Sequence, residues 1–153
     1  MARFNALLVS AFAAVAFSQT SLTSCGGDVT WSSLQLIPPS PVAGAPVLLN
    51  ATGTLIAPVS GGSGDIAAFL FGASVWDGQF NTCGQNQTLN IMDIVSLTVN
   101  GLACPLAAGA PAAMSLAITV PSIASGMTVD VIMNATAQDS VSPAFCLNLS
   151  LSF

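Results

Sequence analysis

Apolar and polar positions alternate with period two along most of the chain, the signature of strands with one buried face. Val47, Leu49, Ala51, Gly53, Leu55 and Ala57 share one parity, against Leu48, Asn50, Thr52, Thr54 and Ile56. Met114, Leu116, Ile118 and Val120 alternate with Ser115, Ala117 and Thr119. Val129, Val131 and Met133 alternate with Asp130, Ile132 and Asn134, and Phe145, Leu147, Leu149 and Leu151 with Asn148 and Ser150. From Ile66 to Ala73 both parities are apolar, which predicts a strand with no purely polar face. Ile91 to Val99 has the length of a short helix, but Ile91, Asp93, Val95, Leu97 and Val99 alternate as a strand does.

Turn chemistry separates these runs. Pro38-Pro39-Ser40-Pro41 and Gly44-Ala45-Pro46 end the strand Val29 to Leu36, and Gly61-Gly62-Ser63-Gly64 separates two others. Asp77-Gly78 predicts a tight turn, Pro105 to Pro111 a loop, and Ser125-Gly126 the closure of a hairpin. About seven short strands with frequent turns predict an all-β fold, a β-sandwich of antiparallel sheets. The many Ala residues leave a small helical protein as the rival.

The first residues, MARFNALLVSAFAAVAFSQT, read as a signal peptide. Arg3 is the basic n-region, Ala6 to Phe17 the apolar h-region, and Ala16-Phe17-Ser18 has small residues at its outer positions. The expected division is a signal at residues 1–18 and one domain at residues 19–153. The apolar run is short of the roughly 20 residues a membrane span needs.

Charge narrows the field further. Of 153 residues, six are acidic and all six are Asp; Arg3 is the single base, and His and Tyr are absent. Cleavage after Ser18 leaves a chain with no side-chain cation. Nucleic acid is therefore excluded as a partner, as is capture of an anionic membrane by a basic patch. Without His there is no Ser-His-Asp or Cys-His centre and no His-rich zinc site. Asp28, Asp65, Asp77, Asp93, Asp130 and Asp139 form no EF-hand array. The expectation is a protein that is not an enzyme and holds no cofactor or metal.

The four cysteines, Cys25, Cys83, Cys104 and Cys146, all follow the signal, and none has CxxC spacing. An even number in an exported chain predicts two disulfides, among three pairings. Sequons stand at Asn50, Asn86, Asn134 and Asn148, which predicts a glycoprotein.

Several of these residues carry a resemblance. Cys25-Gly26 near the mature start is followed by the strand from Val29 and by Pro38-Pro-x-Pro-x-x-Gly44. Cys83 then precedes Cys104-Pro105-Leu106-x-x-Gly109, the stretch ITVPSIASGMTVDVIMNATAQD, and Cys146 in the last strand. In order and spacing this frame resembles the MD-2-related lipid-recognition (ML) domain family. That family includes the Niemann-Pick type C2 sterol-transfer proteins and the fungal phosphatidylglycerol/phosphatidylinositol transfer proteins. The resemblance covers nearly all of the mature chain. It implies an immunoglobulin-like β-sandwich of two antiparallel sheets with an apolar cavity between them. It also implies the pairs Cys25–Cys146 and Cys83–Cys104. A further cysteine pair common early in the family is missing, with Pro and Ala around Pro38 to Pro46 instead.

The expected function is that of a secreted lipid-binding protein, monomeric, which binds a sterol or other neutral lipid and passes it between membranes on transient contact. A vacuole or lysosome-like compartment is the alternative location. The candidate lining is Leu49, Phe69, Phe71, Trp76, Ile94, Leu97, Leu116, Ile118, Val129 and Val131. A phospholipid headgroup normally recruits Arg or Lys, and their absence favours an uncharged guest. The competing expectation is a secreted recognition or cell-surface sandwich with a closed interior. A continuous apolar void of several hundred cubic ångströms between the sheets separates the two readings.

Overall fold

The computed structural model describes residues 20–91, 95–138, 140 and 142–153. The expected signal at residues 1–18 lies outside them, as does Ile94. The described residues form ten strands: β1 (Ser21–Gly26), β2 (Val29–Ile37), β3 (Pro46–Leu55), β4 (Ser63–Leu70), β5 (Ala73–Asn81), β6 (Gln87–Ile91), β7 (Val95–Asn100), β8 (Pro111–Thr119), β9 (Thr128–Thr136) and β10 (Pro143–Ser152). One 3-10 turn, η1, spans Ser122–Ala124.

The strands make two five-stranded antiparallel sheets packed face to face. Sheet A has the order β1-β10-β9-β4-β5, and sheet B the order β2-β3-β8-β7-β6. The alternation read from the sequence becomes the core. Val47, Leu49, Ala51 and Leu55 of β3 are buried, as are Met114, Leu116 and Ile118 of β8. Sheet A meets them with Val131, Met133 and Ala135 of β9 and Phe145, Leu147, Leu149 and Leu151 of β10. In β4, Ile66 and Ala68 face inward and are buried, while Phe69 turns to the outer face and is half-buried.

Three expectations are corrected. Asp77-Gly78 is no turn: both residues lie inside β5, in register with Ala67 and Ile66. Gly78 is there because the Trp76 ring lies over it; a Cβ at position 78 would stand 2.5 Å from that ring. The tight turn is Phe71-Gly72, which joins β4 to β5 with positive φ at both residues. Ser125-Gly126 closes no hairpin, because β8 belongs to sheet B and β9 to sheet A. The chain crosses between sheets there through η1. Finally, Val29 to Leu36, expected from the pattern with no strand before it, is the second strand. β1 precedes it and pairs with β10 along the sheet edge, with five of its six residues exposed. A strand so little buried carries no period-two hydrophobic signal.

Candidate functional site

Each strand sends one parity of side chains into the gap between the sheets, and the packing differs along the strands. In the middle, Ile66, Met133, Leu116 and Val99 meet and are fully buried. Towards the ends carrying the β4–β5 turn, the last residue of β6, the first of β7 and η1, the same parity continues but does not fill the gap. A cavity of about 150 Å³ remains. Sheet A contributes Ala68 and Leu70 of β4, Val75 of β5, Val129 and Val131 of β9 and Leu151 of β10. Sheet B contributes Ile91 of β6, Val95 and Leu97 of β7 and Ile118 of β8, with Val120 just beyond that strand. The crossing connection closes over them with Pro121, Ala124 and Met127.

Ala68 and Ala124 put short side chains in the wall. The register of β4 and β5 shifts between Ala68 and Phe69, so Ala68 faces Trp76 while Phe69 faces Ser74. Val75 is the extra residue of that bulge, and a bulge redirects a side chain. Here it brings Val75 into the cavity wall, on the strand that also carries Trp76. The connection after β8 is held over the cavity by backbone bonds: Gly126 N donates to Phe153 O at 2.7 Å and Phe153 N to Met127 O at 3.0 Å.

The wall exposes no polar atom. The cavity has no donor, acceptor or charge with which to orient a headgroup, and hydrocarbon is the chemistry it matches. Three other depressions among the described residues are larger: a polar one of about 230 Å³ at Asp65, Asn134, Thr136 and Ser140, and two larger still, which are shallow faces rather than interiors. One, of about 310 Å³, lies on the outer face of sheet A and includes Phe69, Asp130 and Ile132. The other, of about 710 Å³, lies on the outer face of sheet B and includes Gln35, Asn50, Asn100 and Ser115. Two of its amides are engaged with their neighbours. Asn100 Nδ2 donates to Ser115 Oγ at 3.1 Å, and Gln85 Nε2 to Gly101 O at 2.8 Å. Among the described residues, no three of His, Cys, Asp and Glu converge as metal ligands would. Asp28 accepts a hydrogen bond from Ser140 Oγ at 2.9 Å, and Asp65 from Gln79 Nε2 at 3.3 Å.

Of the lining expected from sequence, Leu97, Ile118, Val129 and Val131 stand in the wall. Leu49 and Leu116 are core residues outside it. Trp76 packs against the core but is not in the wall. Phe69 and Phe71 are not brought to the cavity: Phe69 has the outward parity of β4, and Phe71 sits at the tip of the β4–β5 turn, 81% exposed. Leu70, Val95, Val120 and Leu151 extend parities already visible in the sequence, so carrying each alternation to the strand end finds them. Val75 breaks the alternation of β5, and Ala124 and Met127 belong to a connection with no period, so nothing in the pattern marks those positions.

Both disulfides are formed in the pairing the resemblance implied, Cys25–Cys146 and Cys83–Cys104. Both lie at the end of the sandwich away from the cavity. The sequon Asn134 is exposed on β9, Asn148 on β10 and Asn86 between β5 and β6, while Asn50 is half-buried on β3.

The profile of the family described as ML domain matches residues 19–153. No curated protein sequence matches. Among solved structures, a Niemann-Pick type C2 protein from Japanese carpenter ant superposes with a TM-score of 0.58 at 11% identity. The match covers 86% of this chain and 97% of that one. At that identity the likeness is one of fold.

Proposed function

The chain belongs to the ML-domain family, a family of lipid-binding proteins, and from that premise we propose that it is exported, binds an uncharged apolar lipid between its two sheets and releases it to a second membrane. The observation that carries this reading is the cavity wall, which is wholly apolar and lies between the sheets at one end. Beyond Arg3 the sequence has no Lys, Arg or His, so no side-chain cation is at hand to grip an anionic headgroup. Four cysteines, all paired, fit an oxidising compartment.

The guest enters by its hydrocarbon part. A dry apolar cavity of this size holds a molecule about as large as benzene. A sterol or a long acyl chain therefore requires the sheets to part at the cavity end. The tie points favour such widening, because Cys83–Cys104, the bridge between connections of the two sheets, sits at the opposite end, as does Cys25–Cys146 within sheet A. Burial of the guest is driven by about 25 cal/mol per Å² of apolar surface withdrawn from water.

The test is organic extraction of protein secreted by its own host, followed by native mass spectrometry. Stoichiometric sterol or other neutral lipid is the expected result. Ala68→Leu places a larger side chain in the wall and is expected to abolish uptake of a fluorescent sterol while leaving the fold intact. The small resting volume favours a second reading, a recognition module with a closed interior. Repeated extraction of no lipid, with no sterol uptake by the unmodified protein, would establish that reading instead.

A further inference from the structure

The two most exposed large apolar side chains among the described residues, Phe71 and Ile123, both stand at the cavity end, 81% and 79% exposed. Val42, 63% exposed, joins them. The three come from separate connections, and each is tied to the cavity wall. Phe71 follows the wall residue Leu70. Ile123 precedes the wall residue Ala124 within η1. Val42 lies in the β2–β3 connection, where Gly44 N donates to the carbonyl of the wall residue Val120 at 2.8 Å. Together they place exposed hydrocarbon on three connections at the cavity end, against the single Ile56, 64% exposed, just past β3 at the other.

Phe71 is a costly residue for its position. Its φ is +52°, followed by +77° at Gly72, in a two-residue turn between paired strands. Turns of this kind favour Asn-Gly or Asp-Gly, and a bulky side chain at positive φ is an outlier. At 81% exposure Phe71 contributes almost nothing to the core. Strain held at an exposed aromatic tip points to a role outside the fold.

Charge selects the occupant. An anionic membrane is attracted by Lys and Arg, and the chain has none beyond Arg3, against six Asp. None of the sequons falls on a rim residue, although Asn148 shares the outer depression of sheet A with Gly72 of the β4–β5 turn. Asn134 and Asn148 stand on strands of sheet A facing outward, Asn50 lines the outer face of sheet B, and Asn86 lies in the β5–β6 connection at the disulfide end.

We propose that Phe71, Ile123 and Val42 form a rim that seats the cavity end on an uncharged, zwitterionic lipid surface. Binding is driven by insertion of hydrocarbon and not by headgroup charge. The rim faces the cavity towards the acyl chains, and in that respect the proposal rests on the lipid-binding reading above.

The test is flotation of the secreted, disulfide-intact protein with phosphatidylcholine vesicles, at low and high salt, with Phe71→Asn and Ile123→Ser beside the unmodified chain. Uptake of the uncharged dye Nile red in the absence of vesicles is measured in parallel. The unmodified protein is expected to float equally well at both salt concentrations. Phe71→Asn is expected to lower vesicle partition about tenfold. Its melting temperature is expected to be equal or higher, since Asn-Gly suits the turn, and dye uptake is expected to be retained. Ile123→Ser is expected to lower partition to a similar degree. Failure to float with phosphatidylcholine, flotation only after phosphatidylserine is added, or full flotation of Phe71→Asn would each overturn the rim. Flotation of a protein that takes up no dye would sink the cavity reading and leave the rim standing, so the two failures are distinguishable.

Discussion

At one end of the sandwich Phe145 is completely buried, with the Trp31 ring edge-on at 5.9 Å and the Phe80 ring at 6.3 Å. Cys25–Cys146 joins β1 to β10 there, and Cys83–Cys104 joins the connection after β5 to the one before β8. The buried hydroxyl of Thr82 donates to Thr136 O at 2.8 Å. Val59 and Leu106 exchange backbone hydrogen bonds of 2.9 Å in each direction. At the other end only aliphatic side chains face one another, two of the wall positions are Ala, and no disulfide crosses. The same two sheets are thus stapled and filled with aromatic rings at one end, and left underfilled and untied at the other. A sandwich must be held together somewhere if it is to open elsewhere, and here the two tasks fall to opposite ends of the same strands.

This contrast can be broken by mutation. The largest effect is expected from the long bridge. Cys25 and Cys146 are 121 residues apart, and the chain-entropy estimate for a loop of that length is about 5 kcal/mol. The double change Cys25→Ser and Cys146→Ser should lower the free energy of unfolding in urea by an amount of that order. The Cys83–Cys104 bridge, with a separation of 21, should be worth about 3 kcal/mol on the same basis. Equal losses for the two would show that loop length is not the governing term.

Next in size is Phe145→Ala, which empties the centre of the aromatic end and is expected to cost about 4 kcal/mol in the same titration. Leu97→Ala at the cavity end is expected to cost less, about 2 to 3 kcal/mol, because Leu97 already borders a void and loses fewer contacts. It should also enlarge the cavity, so uptake of a fluorescent sterol should rise while stability falls. If Leu97→Ala costs as much as Phe145→Ala and takes up no more ligand, the two ends are packed alike and the contrast fails.

The fold was legible because burial writes itself into alternation. β3, β8, β9 and β10 each have one face against the other sheet, and their inward residues were readable in advance. β1 escaped notice because an edge strand with exposed faces leaves no such trace. The Asp77-Gly78 dipeptide misled because glycine serves two purposes, a turn with positive φ and room for a ring, and nothing local distinguishes them. The site was legible only in part for related reasons. Leu97, Ile118, Val129 and Val131 follow from parity. Phe69 and Phe71 do not reach the cavity, because apolar character on both faces of β4 says that one face is turned outward without saying which.

The sequence alone determined the strand class, the inward parity of the long strands and the absence of side-chain cations beyond Arg3, because these depend on residue type and period. Tertiary structure decided which end of the sandwich stays underfilled. Ala68 on β4, the bulged Val75 on β5 and Ala124 in η1 lie far apart in the chain, and only the packing of one sheet on the other brings them around a common void. It also decided that Phe71 is a surface residue, because the direction of a side chain at a turn is set by backbone dihedrals and not by its hydrophobicity.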